Sequence, residues 1–443
     1  MTAEAELAVE ARIERLLDHL GIRRAHFGAQ LSTELNPILT ERPERIASLA
    51  LMGPSRLTPE AVVGLAERLL IITAETGLPA EVVARAAPEL PEARTVTLAG
   101  YEAATWSDLA ADRTVDVAGA INDFLAAAEG DSGADSLSMD GGAGEVAGIT
   151  YTIAGSGPVL VLLPLFLAAS QWQPLVPRLS DSYTVVQLGG PHLGGIAILE
   201  DRGNDPGYRR VVGSVVDELD LQPGQRIVDV GGGSGAIDRW LARRTGGANP
   251  ITAFDVNAYL RREARALADA EGLGEVIEFR EGNAEALPLE SGSTDATLSV
   301  TVMEECDADR MLAELIRVTR PGGRIGVIVR AVDLPTFWGL ELPPEILAKV
   351  NIPIHSVSPG GCADASLYRR FRASGLNEMA MFPHMMTTTR AEGPLWKYTE
   401  PFALSLLTAE EAAAWHQAKE KGIAEGTALM CRPMHCAVGT KPG

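Results

Sequence analysis

The segment "RIVDVGGGSGAID", residues 226–238, decides the fold of the second half of the chain. Apolar residues around Asp229 predict a short buried strand, and "IDRWLARR" after the glycines has the spacing of a helix. A glycine turn lets the backbone approach a ligand, and the N-terminus of the following helix offers free N–H groups and a partial positive charge. The segment therefore predicts a nucleotide-binding site.

Two kinds of ligand fit this turn. Gly231, Gly233 and Ala236 match the dinucleotide fingerprint G-x-G-x-x-G/A, whereas Gly231, Gly233 and Gly235 match the G-x-G-x-G loop of nucleoside-binding methyltransferases. The strand predicted at "ITAFDVN" ends in Asp255, whose carboxylate could accept hydrogen bonds from the ribose hydroxyls of either ligand. The turn by itself leaves both alternatives open.

Composition narrows the class of protein. The 443 residues predict two or three domains, and 59 acidic against 38 basic residues give a formal net charge of −21, which argues against nucleic acid or anionic lipid as a partner. The first twenty residues are acidic and amphipathic, and the apolar run 159–169 is too short to span a bilayer. We therefore expect a soluble cytoplasmic protein.

The segments after the glycine turn decide between the two ligands. "VIEFREGNAEALPLESGSTDATLSV" (276–300) predicts two strands around a turn, and "ADRMLAELIRVTRPGGRIGVIVR" (308–330) predicts a helix, ended by a Pro-Gly-Gly turn, and a strand. With the glycine turn and Asp255, residues 205–443 resemble the class I S-adenosylmethionine-dependent methyltransferases, in particular the ubiquinone and menaquinone type. The resemblance implies a Rossmann-like α/β domain that uses S-adenosylmethionine.

The resemblance also assigns positions in the cofactor site. Residues at the glycine turn would surround the methionine part, Asp255 and its neighbour would hold the ribose, the next turn would contact adenine, and the end of a later strand would line the sulfonium side. The family usually has Asp where this chain has Asn283, whose amide oxygen can still accept a hydrogen bond. The residues so assigned are Asp229, Gly231, Gly233, Gly235, Asp255, Val256, Asn283, Ala284 and Val300.

Methyl transfer needs an aligned acceptor and a group that removes its proton, but no metal in principle. Candidate bases are Glu304, Glu305, His355 and His384, with a helix N-terminal turn as the structural alternative for the glutamates and an ordinary surface or core position for the histidines. O, N, C and S acceptors all remain open. The negative net charge favours neutral or cationic acceptors.

Three alternatives to this function differ in class. A nicotinamide-dependent oxidoreductase would bind a dinucleotide at the glycine turn. A non-catalytic binding or scaffold protein would bind the cofactor without turnover. A metalloid or thiol methyltransferase would use cysteines, because thiolates bind soft metals and metalloids. Cys431 and Cys436, however, lie five residues apart in a predicted strand and would point to opposite faces, so we expect ordinary core cysteines and no metal site.

The first part of the chain has a second resemblance. "EGDSGADSLSMDGGAGEVAG" (129–148) predicts a flexible linker, and the flanking segments 1–128 and 149–204 resemble the later and early halves of an α/β-hydrolase, a parallel-sheet fold. The nucleophile position between Gly28 and Ser32 is occupied by Gln30, and the histidine position by Ala103. A glutamine amide cannot act as the nucleophile, which implies a non-hydrolytic scaffold or substrate-binding surface. Further positions of that pattern are the acid candidate Glu75 and the oxyanion loop near Pro164 and Leu165.

The order of the two halves makes a structural prediction. Halves in reversed order are what a circular permutation leaves, with 129–148 joining the old termini. We therefore expect residues 25–29 to pair with 159–165 in one parallel-rich sheet, separate from the methyltransferase sheet.

Overall fold

The computed structural model describes residues 7–30, 35–103, 108–137, 141–352 and 357–443. The chain divides into two compact units, Met1–Ala197 and Ile198–Gly443, and each unit has its own sheet and cores. Across the described ranges, every helix falls short of the length and apolarity needed to cross a membrane.

The first unit is an α/β structure. Its strands are β1 (Ala25–Ala29), β2 (Ile46–Met52), β3 (Leu69–Gly77), β4 (Arg94–Ala103), β5 (Gly142–Val146), β6 (Ile149–Ala154), β7 (Val159–Leu162) and β8 (Thr184–Gly189). Its helices are α1 (Val9–His19), α2 (Asn36–Glu41), α3 (Pro59–Val62), α4 (Leu78–Ala86), α5 (Leu109–Asp112), α6 (Thr114–Ser132) and α7 (Val176–Leu179). The strands form one sheet in the order β4-β3-β2-β1-β7-β8-β6-β5, parallel from β4 to β8 and antiparallel at β6 and β5.

The centre of this sheet joins the two ends of the unit's sequence. Strand β1 pairs in parallel with β7, and Phe27 lies opposite Val161 in the register. Both strands are fully buried and, apart from His26 in β1, apolar, as expected for a parallel sheet covered on both faces. The pairing predicted between residues 25–29 and the segment from 159 is thus confirmed.

The expectation of a flexible linker at 129–148 is wrong for much of that segment. Helix α6 continues to Ser132, and Gly142–Val146 forms the edge strand β5, which pairs antiparallel with β6. The side chains of β5 are exposed or half-buried, so its stability comes from backbone hydrogen bonds rather than from apolar burial. Glycine-rich composition is compatible with such an edge strand.

The second unit begins within helix α8 (Gly194–Asn204). The helices that follow are α9 (Pro206–Glu218), α10 (Ala236–Arg244), α11 (Ala258–Ala270), α12 (Ala308–Val318), α13 (Pro344–Val350), α14 (Ser366–Ala373), α15 (Pro394–Ser405) and α16 (Ala409–Glu425). The strands are β9 (Ile227–Val230), β10 (Ile251–Asp255), β11 (Ile277–Glu281), β12 (Thr294–Val300), β13 (Thr319–Arg330), β14 (Phe337–Trp338), β15 (Asn377–Thr388) and β16 (Met430–Thr440).

The second sheet has the order β11-β10-β9-β12-β13-β16-β14, and β15 also pairs with β16. Strands β11 to β13 are parallel and β16 is antiparallel, so the Rossmann-like fold is as predicted. Ile227 packs into one core and Val228 into another, because neighbouring residues of a strand face opposite sides. The strand order reverses between β9 and β12, and ligands of such sheets bind at the carboxyl ends of the strands at this point.

One boundary differs from the sequence expectation. Helix α12 ends at Val318, and strand β13 already begins at Thr319, so the Pro321-Gly322-Gly323 turn lies inside the strand. The register with β12 shifts there, between Thr294 and Ala296, which accommodates the turn as an irregularity of the strand.

Candidate active site

The glycine turn between β9 and α10 uses three residues that adopt a left-handed backbone conformation. Gly231, Gly233 and Gly235 have φ values of 86°, 56° and 73°. A Cβ atom on Gly231 would lie 2.1 Å from Val302 Cγ2, and one on Gly235 would lie 2.7 Å from Phe279 Cζ. Both conformation and space therefore require glycine, and all three positions of the G-x-G-x-G reading are accounted for.

Asp255 ends β10 directly beside this turn. Its Oδ2 atom accepts a hydrogen bond from the Gly233 N–H at 3.0 Å, and its Oδ1 atom accepts one from the Asn257 N–H at 2.8 Å. Burial raises the pKa of Asp255, and the two backbone donors partly oppose that effect. Each oxygen keeps a second lone pair for a ligand hydroxyl. The next side chain, Val256, is 67% exposed, an open apolar surface at the edge of the turn.

Two buried carboxyl groups flank the turn from the other side. Asp229 on β9 and Asp238 on α10 are 4% and 1% exposed. A Cβ atom on Gly232 would lie 3.2 Å from Asp238 Oδ2 and 3.8 Å from Asp229 Oδ2, so both groups border the same glycine. A hydrogen bond through a shared proton links Asp229 to Asp238, and no other donor among the described residues reaches Oδ1 of Asp229 or either oxygen of Asp238.

This environment disfavours two negative charges. Burial, with the charge of Asp238 second, raises the pKa of Asp229 well above its ordinary value, and burial raises that of Asp238 to about 7. A buried acidic pair whose only donor is its own shared proton suits a cationic ligand, because a positive charge would stabilise the ionised carboxylates. Sequence reasoning identified Asp229 but missed Asp238, which lies one helical turn beyond the glycines.

The turn after β11 carries the predicted adenine contacts. Asn283 is exposed, and its Oδ1 accepts a hydrogen bond from the Glu285 N–H at 2.8 Å, which fixes the turn. Ala284 is buried. The exposed amide of Asn283 is thus held in one orientation at the same end of the sheet as Asp255.

The carboxyl end of β12 contains the clearest backbone strain near the site. Val300 is its last residue, and Thr301 follows with φ of 59°, a rare conformation for a β-branched residue. Its N–H donates to the Ile328 carbonyl at 2.8 Å, which holds the bend in place. Strained residues of this kind cluster at functional sites.

Glu304 is the most buried of the three candidate bases that the structure describes, with no exposed surface. Its Oε1 accepts a hydrogen bond from the Arg330 N–H at 3.0 Å and lies 3.8 Å from the Arg330 Nε. Its Oε2 has no partner in the described ranges. Burial raises the pKa of Glu304, partly opposed by Arg330. The helix N-terminal turn is not its location, since α12 is capped by Asp307.

The other candidate bases are not brought together with Glu304. Glu305 is exposed, and His384 is half-buried on β15, where it pairs with Met434 in the register. His355 lies outside the described residues. The structure therefore places one buried carboxyl group near the end of β12, whereas Glu305 is exposed and His384 is half-buried.

The cysteines have no metal-site geometry. All four are free, and Cys431 and Cys436 lie on the same strand, β16. Burial raises the pKa of Cys436 and of Cys306 to about 12, so neither is a ready thiolate. Within the described ranges no group of three or more His, Cys, Asp or Glu side chains is arranged to hold a metal ion.

The sequence analysis did not identify a structural role for the buried residue His435. His435 on β16 bonds through Nε2 to Asp333 Oδ1 at 2.8 Å and through Nδ1 to the Tyr368 hydroxyl at 2.8 Å. Both ring nitrogens are therefore occupied, and the triad ties β16 to α14 and to the loop after β13. Only its hydrogen-bonding chemistry, and no sequence spacing, could have indicated this role.

In the first unit, the residues at the positions expected for a hydrolase site take part in other contacts. Gln30, after β1, donates through Nε2 to the Gly53 carbonyl at 2.9 Å and accepts through Oε1 from the Phe166 N–H at 2.6 Å. Glu75 is exposed and bonds the Gly100 N–H, while Ala103 is buried. Pro164 and Leu165 are buried beside Phe166. Ser32 lies outside the described residues.

Comparison with known proteins identifies relatives of the second unit. A methyltransferase domain family matches residues 228–327. The chain is 29% identical over 145 residues to the ubiquinone/menaquinone biosynthesis C-methyltransferase of Hahella chejuensis, covering 30% of this chain and 58% of that protein. It is 33% identical over 184 residues to the corresponding enzyme of Acidiphilium cryptum, covering 40% of this chain and 73% of that protein.

Coverage varies among these relatives. The chain spans about half the length of several of them, for example 48% of the enzyme from Legionella pneumophila strain Corby. Among solved structures, the YcgJ protein from Bacillus subtilis matches 53% of this chain and 99% of its own, with 16% identity and a TM-score of 0.36.

Proposed function

Because the chain belongs to the class I S-adenosylmethionine-dependent methyltransferases, we propose that residues 205–443 transfer a methyl group from S-adenosylmethionine to a small-molecule acceptor. The observation that carries the proposal is the cradle formed by three left-handed glycines and the carboxylate of Asp255. A nicotinamide-dependent oxidoreductase would use the same strand and helix, but the relatives of this chain are methyltransferases and not oxidoreductases.

The cofactor residues follow from the contacts at the turn. Asp255 accepts from the ribose hydroxyls, Val256 offers its exposed apolar surface to the adenine ring, and Asn283 and Ala284 contact the adenine edge. Asp229 and Asp238 would face the cationic part of the cofactor, because a positive neighbour would stabilise the ionised form of this buried, proton-sharing pair. Val300 completes the wall at the end of β12.

The chemistry that S-adenosylmethionine supplies when bound is an electrophilic methyl group. The protein's tasks are to exclude water, align the acceptor with that methyl group and hold the acceptor's proton. We assign the proton to Glu304, whose raised pKa and free Oε2 suit a general base, with Glu305, His384 and His355 as the other candidates. The relatives' printed activity favours a carbon acceptor, while O, N and S remain open.

For the first unit we propose an α/β-hydrolase-like fold without hydrolytic activity, formed by residues 1–128 and 149–204 as a circularly permuted pair. The pairing of β1 with β7 supports the arrangement. The side chain of Gln30 supports the loss of activity, because it occupies the Phe166 N–H that follows the oxyanion-loop position. The unit would serve as a scaffold or a substrate-binding surface.

The identity of the ligand that the protein binds tests the proposed methyltransferase function. Mass spectrometry of ligands released from purified protein, followed by calorimetry with S-adenosylmethionine, S-adenosylhomocysteine and NAD, should show binding of the first two and none of NAD. Binding of NAD without binding of either sulfur compound would refute the methyltransferase proposal. Binding of the sulfur compounds with no methylated product from any acceptor would favour a non-catalytic binding protein.

A further inference from the structure

Three arginines of the second unit converge on one pocket. Arg202 comes from α8, Arg330 from the end of β13 and Arg432 from β16, and all three line the same cavity together with Thr301 and Met434. Arg330 pairs with Met434 in the antiparallel register, which sets β16 beside the end of β13. Because Thr301 follows the last residue of β12, the cavity opens at the carboxyl ends of the parallel strands, where ligands of this fold bind.

The positive charges of this pocket are incompletely balanced. Glu304 contacts Arg330, whereas Arg432 donates through Nη2 to the neutral Thr399 hydroxyl at 2.5 Å and Arg202 lies over the Tyr208 ring, 5.2 Å from its centroid. The Nε atoms of Arg202 and Arg432 are buried and have no hydrogen-bond partner among the described residues. Among the described residues, Glu304 is thus the one carboxylate in ion-pair contact with these three guanidinium groups.

Besides burial, the neighbouring charges of Arg330 and Arg202 disfavour the charged form of Arg432. Burial, then the charges of Arg330 and Arg202, lower its pKa to about 9, with Tyr398 opposing. Unpaired cationic groups in a partly desolvated pocket destabilise the folded protein unless an anion pairs with them. The guanidinium fork matches the two oxygens of a carboxylate or phosphate.

We propose that this pocket binds the methyl acceptor through an anionic oxygen group, a carboxylate or a phosphate, held by Arg202, Arg330 and Arg432. The inference rests on the proposed function and narrows its substrate class. It also replaces the expectation, drawn from the overall charge of −21, that the acceptor is neutral or cationic. The local charge in the pocket, not the net charge of the chain, decides which ligand is recognised.

The test uses full-length protein at low ionic strength, with inorganic phosphate, pyrophosphate and benzoate as calorimetric probes. At least one probe should bind, and the probe that binds distinguishes phosphate from carboxylate recognition. Arg432→Gln and Arg330→Gln should weaken binding about tenfold or more, as expected for losing a hydrogen bond to a charged group. Arg432→Lys should retain part of the affinity, and the exposed Arg372→Gln should leave it unchanged.

Three further measurements separate this proposal from its alternatives. Arg432→Gln should raise the melting temperature of the ligand-free protein, because it removes one of the mutually repelling charges, and should leave S-adenosylhomocysteine binding unchanged. Probe binding should also persist when the protein is saturated with S-adenosylhomocysteine. If saturation abolishes it, the arginines hold the cofactor's own carboxylate and the proposal is overturned.

The proposal also fails if no probe binds the wild-type protein or if Arg432→Gln binds the probe as tightly as wild type. Failure of the proposed function looks different, since S-adenosylmethionine would then not bind while the arginine-dependent anion site persisted.

Discussion

The backbone N–H of Gly233 donates to Oδ2 of Asp255 at 3.0 Å, which joins the glycine turn to the end of the neighbouring strand. One carboxylate thus fixes the turn at the place where we propose that the ribose binds. We expect Asp255→Ala to weaken S-adenosylmethionine binding by about 1.5–3 kcal/mol, the usual loss for hydrogen bonds to a charged group. Calorimetry beside the exposed Asp269→Ala variant, which should bind normally, checks this. Equal affinities would remove Asp255 from the site.

The acidic pair at the turn predicts a proton-coupled affinity. Because the pKa of Asp238 is raised to about 7 and that of Asp229 is also raised, the free protein holds a proton there near neutral pH. A cationic cofactor favours ionisation, so binding should release a proton and tighten as pH rises through about 7. Calorimetry in buffers of different ionisation enthalpy measures the proton, and Asp238→Asn should reduce its release. A proton count of zero for wild type would contradict this assignment.

The same pair has a consequence for stability with the opposite sign. The unfolded chain loses these protons near pH 4, whereas the folded protein keeps them to higher pH, so stability should decline as pH rises between those values. Asp238→Asn should therefore stabilise the ligand-free protein more at pH 8 than at pH 5. Melting temperatures at the two pH values test it, and a larger gain at pH 5 would contradict it.

His26 in β1 predicts acid sensitivity of the first unit. It is fully buried, Nδ1 contacts Ser48 Oγ at 2.7 Å, and burial together with Arg24 lowers its pKa to about 4. As pH falls through 6.5 the unfolded chain gains a proton that the folded unit resists, so stability should fall by up to about 3 kcal/mol on reaching pH 4.

Urea unfolding followed by hydrogen exchange of the peptide containing 25–29 measures this slope. His26→Leu should flatten it, whereas Ser48→Ala should keep it, since the histidine remains. An unchanged slope in His26→Leu would assign the acid sensitivity elsewhere.

The residues at the positions expected for a hydrolase triad predict that the protein has no esterase activity, which can be measured directly. Wild-type protein and Gln30→Ser should both fail to hydrolyse p-nitrophenyl acetate above the Gln30→Ala background, because Ala103 supplies no base. Fluorophosphonate probes should label no serine in residues 1–200 of the wild type. Stoichiometric labelling of Ser32 would mean that the nucleophile lies two residues beyond Gln30.

Local patterns explain what the sequence could predict. The left-handed glycines and Asp255 lie within 25 residues of one another (231 to 255) and follow one strand–turn–helix–strand pattern, so chain spacing alone places them. The arginine pocket is different, because Arg202, Arg330 and Arg432 meet only after β16 pairs antiparallel with β13. Asp238 was missed because an acidic residue in a first helical turn normally indicates an exposed dipole interaction, yet this one is buried.

The pairing of β1 with β7 determines when the first sheet can be completed during synthesis of the chain. The last residue of β7 follows the last residue of β1 by 133 positions (162 minus 29), so the central strand of the first sheet waits for its partner. At about 5–20 residues per second, the wait is roughly 7–27 s on the ribosome. During it the apolar edge of β1 is open to pairing with other chains or to capture by chaperones. Yield of folded protein should therefore depend on expression temperature and chaperone supply even where the finished protein is stable.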